Sequence, residues 1–415
     1  MQLPISTLTR KTLLFPLALV IFEFCVYITN DLIQPAMIVI TREYGVDATW
    51  NASAMSAFLF GGVILQWLFG PLSDRVGRRK VLLSGVAFFV VSCLATLWAT
   101  DIHRFLALRV LQGVALSFIG AVGHAVIQEA FEEKTAVQIS ALMANVAMIA
   151  PLVGPVAGAV FVDYLPWRWA FVMIAAVSCV SWLGLFRYMP ETVKPSKEKL
   201  PIKQIAYDFW HLLSNRHFMR TTVSIPFMSI PLVSWIALAP TIVISDFHYS
   251  SLAYGVMQVP IFGFLILSNI VLAHRAKVWR LGSSVHRGYV VFLLGWLLIV
   301  LAGLGVQPVM MLVLGICCFA FGEGIAMSVL YRFAMTASDR PYGVTSSVIG
   351  MLHMLGYAFG VEVFKHAYFA WGVMGFALCS TLCLLIYVSL SRGAVVHAMM
   401  LRLDGEGDAA VTASH

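Results

Sequence analysis

Charge is what this chain has least of. Asp, Glu, Lys and Arg supply 11% of its 415 residues, where a soluble domain carries about 25%. With 60% hydrophobic residues, it cannot cover a soluble globule with polar side chains. Cysteine is present but not in useful patterns. The seven cysteines, Cys25, Cys93, Cys179, Cys317, Cys318, Cys379 and Cys383, all lie in apolar runs, none in a CxxC pair or beside histidines. That speaks against a disulfide framework and a thiolate metal site, and for core packing. HExxH, GxSxG and P-loop patterns are missing. Gly322-Glu323-Gly324 is a lone GxG inside an apolar run, too small a pattern for a nucleotide. No enzyme activity, cofactor or metal is expected. A net charge of +7 does not point to nucleic acid here, because basic loops on one membrane face produce the same excess.

What the chain does have is long apolar runs separated by charged punctuation. A helix needs about 20 apolar residues to cross a bilayer. Twelve runs qualify, near 15–40, 52–70, 81–99, 105–128, 137–162, 167–186, 219–244, 253–273, 288–305, 308–333, 344–364 and 370–390. The expected fold is an all-α membrane protein with 12 transmembrane helices in two six-helix halves. The basic head at Arg10 and Lys11 leads into a full-length span with no small-residue cleavage site, so no cleavable signal is expected. With a cytoplasmic N-terminus, the outer loops hold Arg42, Arg104, Arg168 and Lys365, and Arg109 lies within a span. Of 27 Lys and Arg residues, 22 then remain inside against 4 outside, an asymmetry that places both termini in the cytoplasm. Asn51-Ala52-Ser53 matches a glycosylation sequon, a pattern short enough to arise by chance.

The longest polar stretch, about Arg187 to Arg220, contains Pro190, Lys194, Pro195, Lys197, Lys199, Pro201 and Lys203. It divides the chain into a first bundle (1–187), a cytoplasmic linker (188–218), a second bundle (219–391) and a polar tail (392–415) expected to be disordered from Arg402. Two repeats with a site near the midplane of their interface is a transporter layout.

The first run, Phe15 to Ile40, carries Glu23 and Asp31. A charge at the centre of a membrane helix costs about 2.5–3.5 kcal/mol on insertion scales. At 100° per residue Glu23, Tyr27 and Asn30 share one face, with Asp31 flanking it and Gln34 and Pro35 just beyond. Such a stripe should face water or other helices. A structural polar network explains one buried carboxylate as well as a site does, but two on one stripe favour function. Arg109 is the one base deep in a span, so a carboxylate, water or backbone carbonyls must compensate it.

After the second run comes Gly70-Pro-Leu-Ser-Asp74-Arg75-Val-Gly77-Arg78-Arg79-Lys80. This resembles motif A, the signature loop of the major facilitator superfamily. Arg109-Val-Leu-Gln112-Gly113 resembles motif B of its proton-coupled members, and Gly154-Pro155-Val-Ala-Gly158 resembles motif C of its drug antiporters. Read alone, Gly154 and Gly158 are a small-xxx-small packing pair, and Pro155 bends its helix. The resemblance extends over nearly the whole chain and is strongest to multidrug/proton antiporters of bacterial inner membranes. It implies proton-coupled efflux of phenicols such as chloramphenicol and of lipophilic neutral or cationic compounds. It assigns proton coupling to Glu23, Asp31 and Arg109. It assigns the drug cavity to Tyr27, Asn30, Asp31, Met55, Asn145, Ala147, Tyr254 and Gln258. His124 stands where these exporters carry a tyrosine, which would alter selectivity or add a titrating group.

Gating is expected from Gly70, Asp74, Arg75, Gly77, Arg78, Glu129, Gly154, Pro155 and Gly158. Glu129, Glu132 and Glu133 stand in basic surroundings, with links to Arg75, Arg78 or Arg79 expected against the alternative of a solvated acidic patch. Glu323 places a third carboxylate inside a span, as a cation contact or an auxiliary proton site, or alternatively in a structural hydrogen bond. The expected partners are small-molecule drugs, protons and the lipid bilayer, with the chain acting as a monomer. The alternative in the same fold is a proton-coupled symporter or a metabolite exporter.

Overall fold

The computed structural model describes residues 10–193, 202–275, 279, 282–340 and 342–412. Lys194, Pro195, Lys197, Lys199 and Pro201 of the linker lie outside these. The described chain is helical, without a β-strand. In order the helices are α1 (Arg10–Asp31), α2 (Met37–Glu43), α3 (Trp50–Ile64), α4 (Gln66–Val76), α5 (Arg78–Ala95), α6 (Ile102–Phe118), α7 (His124–Ala130) and α8 (Glu133–Tyr164). They continue as α9 (Arg168–Tyr188), α10 (Ile202–Ser214), α11 (Arg216–Ala239), α12 (Ser251–Arg275), α13 (Ser283–Gly303), α14 (Pro308–Thr336) and α15 (Tyr342–Thr412).

Ten helical stretches are long and apolar enough to cross a bilayer, and the pair α3 and α4, bent by 43°, makes an eleventh. The last stretch, Gly343–Gly393, is 51 residues long. It breaks at Trp371 and Gly372, whose φ/ψ angles are not helical, so it holds two spans. The described residues are thus consistent with twelve spans.

The boundaries differ from expectation in four places. The first run is not one helix: α1 stops at Asp31 and α2 starts at Met37. Pro35 has no N–H to give the Asp31 carbonyl and disfavours helix at the residue before it. The last junction falls at Trp371 and Gly372 rather than around Glu362 to His366, and Lys365 lies within α15 with 7% exposure, not in an outer loop. The linker contains a helix, α10. The tail is drawn as α15 up to Thr412, in keeping with its Ala, Met and Leu content; residues 413–415 lie outside the described chain.

Two compact units emerge. One takes Met1–Ile202, Ser234–Phe262 and Tyr357–Lys365, and the other Lys203–Val233, Gly263–Gly356 and His366–His415. The expected boundaries at 187 and 218 are therefore not the ones that the contacts draw. Bonds from Asn51 to Thr241 and from Lys365 to Ser53 tie later segments into the first unit.

The first unit is built on aromatics. Phe15 stacks on Phe131 at 6.1 Å, Phe22 meets Phe89 edge-on at 5.7 Å, and Phe105, Trp167 and Phe171 form a mutual cluster. In the second unit α13 and α14 lie close together. Phe292 packs on Phe319 and Tyr387, both at 5.2 Å, and Trp296 donates to Thr381 Oγ1 at 2.7 Å.

Candidate functional site

The site begins where α1 ends. Asp31 is the last residue of that helix, an end whose partial negative charge works against a carboxylate. Gln34 folds back, its Nε2 donating to the Asn30 carbonyl at 3.2 Å, which occupies a backbone acceptor that the break leaves free. Asn30 Nδ2 donates to Asp31 Oδ1 at 3.1 Å. Glu23 is 2% exposed, and its Oε2 has no partner among the described residues. Tyr27, on the same stripe, is half-buried and within electrostatic reach of both Glu23 and Asp31.

Arg109 of α6 is wholly buried. Its Nη1 donates to Gln112 Oε1 at 2.7 Å and lies 3.5 Å from the Thr29 carbonyl, while Nη2 donates to Asn30 Oδ1 at 3.1 Å. The guanidinium also lies over the Phe58 ring, 4.6 Å from its centroid. Among the described residues no carboxylate lies within ion-pair distance of it. Backbone carbonyls were one of the expected compensations. Side-chain amides and an aromatic face were not, although Gln112 stands in the same motif. Gln112 Nε2 in turn donates to Thr96 Oγ1 at 2.9 Å and to the Ser92 carbonyl at 3.3 Å.

Helix α8 closes on this stripe. A Cβ built on Gly154 would stand 2.6 Å from Asp31 Cβ, and one on Gly158 would stand 2.1 Å from the Leu32 carbonyl oxygen. Glycine at both positions is what lets α8 lie against the end of α1. Met55 is buried on α3, Ala147 is half-buried and Asn145 exposed on α8. His124 is half-buried at the start of α7, just after a π-helical stretch, Ile119–Gly123; such widened turns cluster at functional sites.

Tyr254 and Gln258 of α12 are buried. Gln258 Oε1 accepts from Trp235 Nε1 at 3.1 Å, but its Nε2 and the Tyr254 hydroxyl have no partner among the described residues. Tyr254 lies within electrostatic reach of Asp31. These unpartnered polar atoms, with Glu23, belong to the same compact unit. Glu323 is in the other unit, half-buried on α14, with Ser229 of α11 alongside its carboxylate and Oε2 unpartnered among the described residues.

The loop after α4 is organised by Arg78. Its Nη2 pairs with Asp74 Oδ1 at 2.6 Å and with Glu129 Oε1 at 2.7 Å, and its Nη1 donates to Ser73 Oγ at 2.6 Å. Gly77 adopts φ +109°, open to glycine at no cost, and a Cβ there would press on the Glu191 carboxylate. Glu191 Oε1 accepts from the Arg78 backbone N–H at 2.9 Å, and Thr192 donates to Glu129. The expected link from Glu129 is thus present, with Arg78. Glu132 and Glu133 are exposed and do not join it. Nothing in the sequence reading pointed to Glu191, 113 positions from Arg78, or to Thr192, 63 positions from Glu129. Gly70 sits in α4 with open space around it.

At the other end of the unit Glu43 accepts from Trp167 Nε1 at 2.7 Å and pairs with Arg168 at 2.5 Å. Burial works against its charge, but those bonds and the Arg168 charge outweigh burial and hold its pKa below the usual carboxylate range. Thr41 donates to Asn51 and Asn51 to Thr241, at 2.9 and 3.0 Å. Asn51 is buried, which excludes it as a glycan acceptor in this fold. Lys365 pairs with Glu362 and donates to Ser53 Oγ at 2.8 Å.

Against known proteins, the Major Facilitator Superfamily pattern matches residues 19–361. The chain is 44% identical over 400 residues to the chloramphenicol resistance protein CraA of Acinetobacter baumannii, covering 96% of each. It is 43% identical over 390 residues to the multidrug transporter MdfA of Yersinia pestis, covering 93% of this chain and 95% of that one. With MdfA of Escherichia coli O157:H7 it shares 45% over 364 residues, 88% and 89% of the two chains. Among solved structures, the human organic anion transporter MFSD10 superposes with a TM-score of 0.63 at 20% identity, over 92% of this chain and 99% of that one. An inward-facing bacterial homologue of the lysosomal transporter Spinster gives 0.64 at 12% identity, over 94% and 97%. These two speak for the fold alone.

Proposed function

The chain belongs to the major facilitator superfamily, and from that premise we propose that it exports drugs across the bacterial inner membrane in exchange for protons. It is a multi-pass membrane transporter, and its relatives act in drug efflux and chloramphenicol resistance by name. The proposed substrates are phenicols of the chloramphenicol type and lipophilic neutral or cationic compounds. Both termini lie in the cytoplasm, and the transporter works as a monomer. Reporter fusions after Arg216 and at the C-terminus should both report cytoplasm.

The observation that carries the proposal is the Arg109–Asn30–Asp31 chain, with a buried, unpartnered Glu23 oxygen about two turns earlier on the same helix. A buried carboxylate is costly as an ion unless it is paired. Carrying a proton removes that cost, and a cationic or hydrogen-bonding drug can replace the proton. Drug near Asp31 and proton on Asp31 therefore compete, and the competition couples the two fluxes. Tyr27, Met55, Asn145, Ala147, Tyr254 and Gln258 would contact the drug, with Tyr254 and Gln258 offering free polar atoms. His124 would tune selectivity. Asn30, expected as a drug contact, is better read as the link between Arg109 and Asp31.

The test is drug-induced proton release from purified protein. Asp31→Asn should abolish it. If release persists in both Asp31→Asn and Glu23→Gln, the coupling lies elsewhere. Chloramphenicol and a lipophilic cation, assayed with and without an uncoupler, separate antiport from passive flux and from uptake.

A further inference from the structure

Trp235 of α11 fixes which end of the Gln258 amide is left free. Both residues belong to the first unit, and both are buried, at 0% and 1% exposure. The indole Nε1 donates to Gln258 Oε1 at 3.1 Å. A side-chain amide fills the same space in either of two orientations, and its hydrogen-bond partners decide between them. An indole N–H can only donate. Turned over, the amide would set its own NH2 against that N–H, donor against donor. The indole therefore takes Oε1, and the group left free is Nε2, which has no partner among the described residues.

A buried N–H without an acceptor is costly, and folded proteins keep few of them. This one stands close to the proposed coupling site. Helix α8 touches both the end of α1 and α12. A Cβ on Gly154 would stand 2.6 Å from Asp31 Cβ, and one on Gly255 would stand 2.9 Å from Val156 Cα, two residues further along α8. The glycine at 255 is thus what lets α12 lie against α8. Its neighbour Tyr254 is within electrostatic reach of Asp31. Gln258 follows Tyr254 by one turn on the same face, and the Tyr254 hydroxyl is likewise unpartnered among the described residues.

The two ends of this arrangement differ in chemistry. Asp31, as an ion, only accepts, which suits a cation or a hydroxyl. Gln258 Nε2 only donates, which suits a neutral oxygen in a carbonyl, hydroxyl or nitro group. Chloramphenicol carries all three of these groups. Tetraphenylphosphonium, a lipophilic cation, carries no hydrogen-bonding group at all.

We propose that Trp235 is a positioning residue for substrate selection: by holding Gln258 Oε1 it presents the amide NH2 to bound drug, and that donor recognises the oxygen acceptors of phenicols. Lipophilic cations bind without it. The inference rests on the drug-export reading above.

The experiment measures equilibrium binding of radiolabelled chloramphenicol and of tetraphenylphosphonium to the purified full chain in detergent, with no proton gradient. Trp235→Phe should weaken chloramphenicol about two- to tenfold, the effect of one neutral hydrogen bond, and leave the cation unchanged. Gln258→Met keeps the indole and the length of the side chain but removes the donor, and should lose as much. Because Trp235 acts through Gln258, the double variant should bind chloramphenicol no more weakly than Gln258→Met alone. Losses that add, or that fall equally on both compounds, overturn the proposal, since the indole then acts by packing. Unchanged chloramphenicol binding in Gln258→Met overturns it as well, even where Trp235→Phe fails to fold. Wild type that binds neither compound overturns the drug-export reading, and this inference with it. Wild type that binds both, with variants that do not discriminate, overturns this inference alone.

Discussion

Arg109 reaches Asp31 through Asn30. The guanidinium donates to the Asn30 amide oxygen at 3.1 Å, and the amide nitrogen donates to the carboxylate, also at 3.1 Å. One side chain thus bonds both the Asp31 carboxylate and a buried cation, without an ion pair between the two. On the proposed mechanism, a proton on Asp31 would take a charged acceptor from the Asn30 amide and leave Arg109 with Gln112, the Thr29 carbonyl and the Phe58 ring.

Asn30→Leu should therefore uncouple. Hydrogen bonds to charged groups contribute about 1.5–3 kcal/mol each, and this substitution removes two. Drug binding should survive while drug-induced proton release falls by at least about tenfold, the equivalent of 1.4 kcal/mol or so. Proton release at wild-type level, from protein expressed at wild-type level, would falsify the relay.

Gly154→Ala should damage the same place from the other side. The new methyl would meet Asp31 Cβ at 2.6 Å, and overpacking of this kind costs about 1–3 kcal/mol. Export of chloramphenicol should fall while the protein still inserts. Ala at Gly263 of α12, where nothing lies within 4 Å, is the control and should leave export unchanged.

The Arg78 cluster can be checked with a double-mutant cycle. Arg78 pairs with both Asp74 and Glu129, so Arg78→Ala and Glu129→Gln should not be additive. Residues sharing one network couple by about 0.5–3 kcal/mol. Thermal unfolding of the single and double variants in detergent reads the coupling. Strict additivity would mean that the pair is spectator chemistry.

Glu43 should give the protein an acid-sensitive component of stability. Its pKa is depressed in the folded state. The stabilisation is therefore complete above the unfolded carboxylate pKa and is lost as pH falls through the folded one. Glu43→Gln should lower the Tm at neutral pH, and the gap to wild type should close as the pH is lowered toward that depressed value. A gap that is constant with pH would assign the loss to packing against Trp167 alone.

Glu323→Gln distinguishes three roles. Loss of ethidium export with phenicol export kept marks a contact for cationic drugs. Loss of both at normal expression marks a proton site. Unchanged export of both leaves the carboxylate a structural partner of Ser229.

The span count and the carboxylates within the first run were legible in the sequence, because the bilayer imposes a length and a composition on every helix that crosses it. Membrane burial needs no tertiary information: the solvent itself is apolar. Gly154 and Gly158 were legible for a similar reason, since the close approach of another helix leaves no room for a side chain there. What the sequence could not decide was which partner satisfies each buried polar group. Arg109 could have met a carboxylate, and instead meets Asn30 and Gln112. Pro35 was visible, yet apolar composition carried the expected span straight through it, and the break that makes Asp31 a helix end was missed. Lys365 read as a loop base and proved to be buried against Ser53, 312 positions away. Glu191 and Asn51 likewise acquire their roles from neighbours far along the chain. A hydrogen bond is short and directional, so its partner depends on how helices dock, and docking is a property of the assembled bundle rather than of any local stretch.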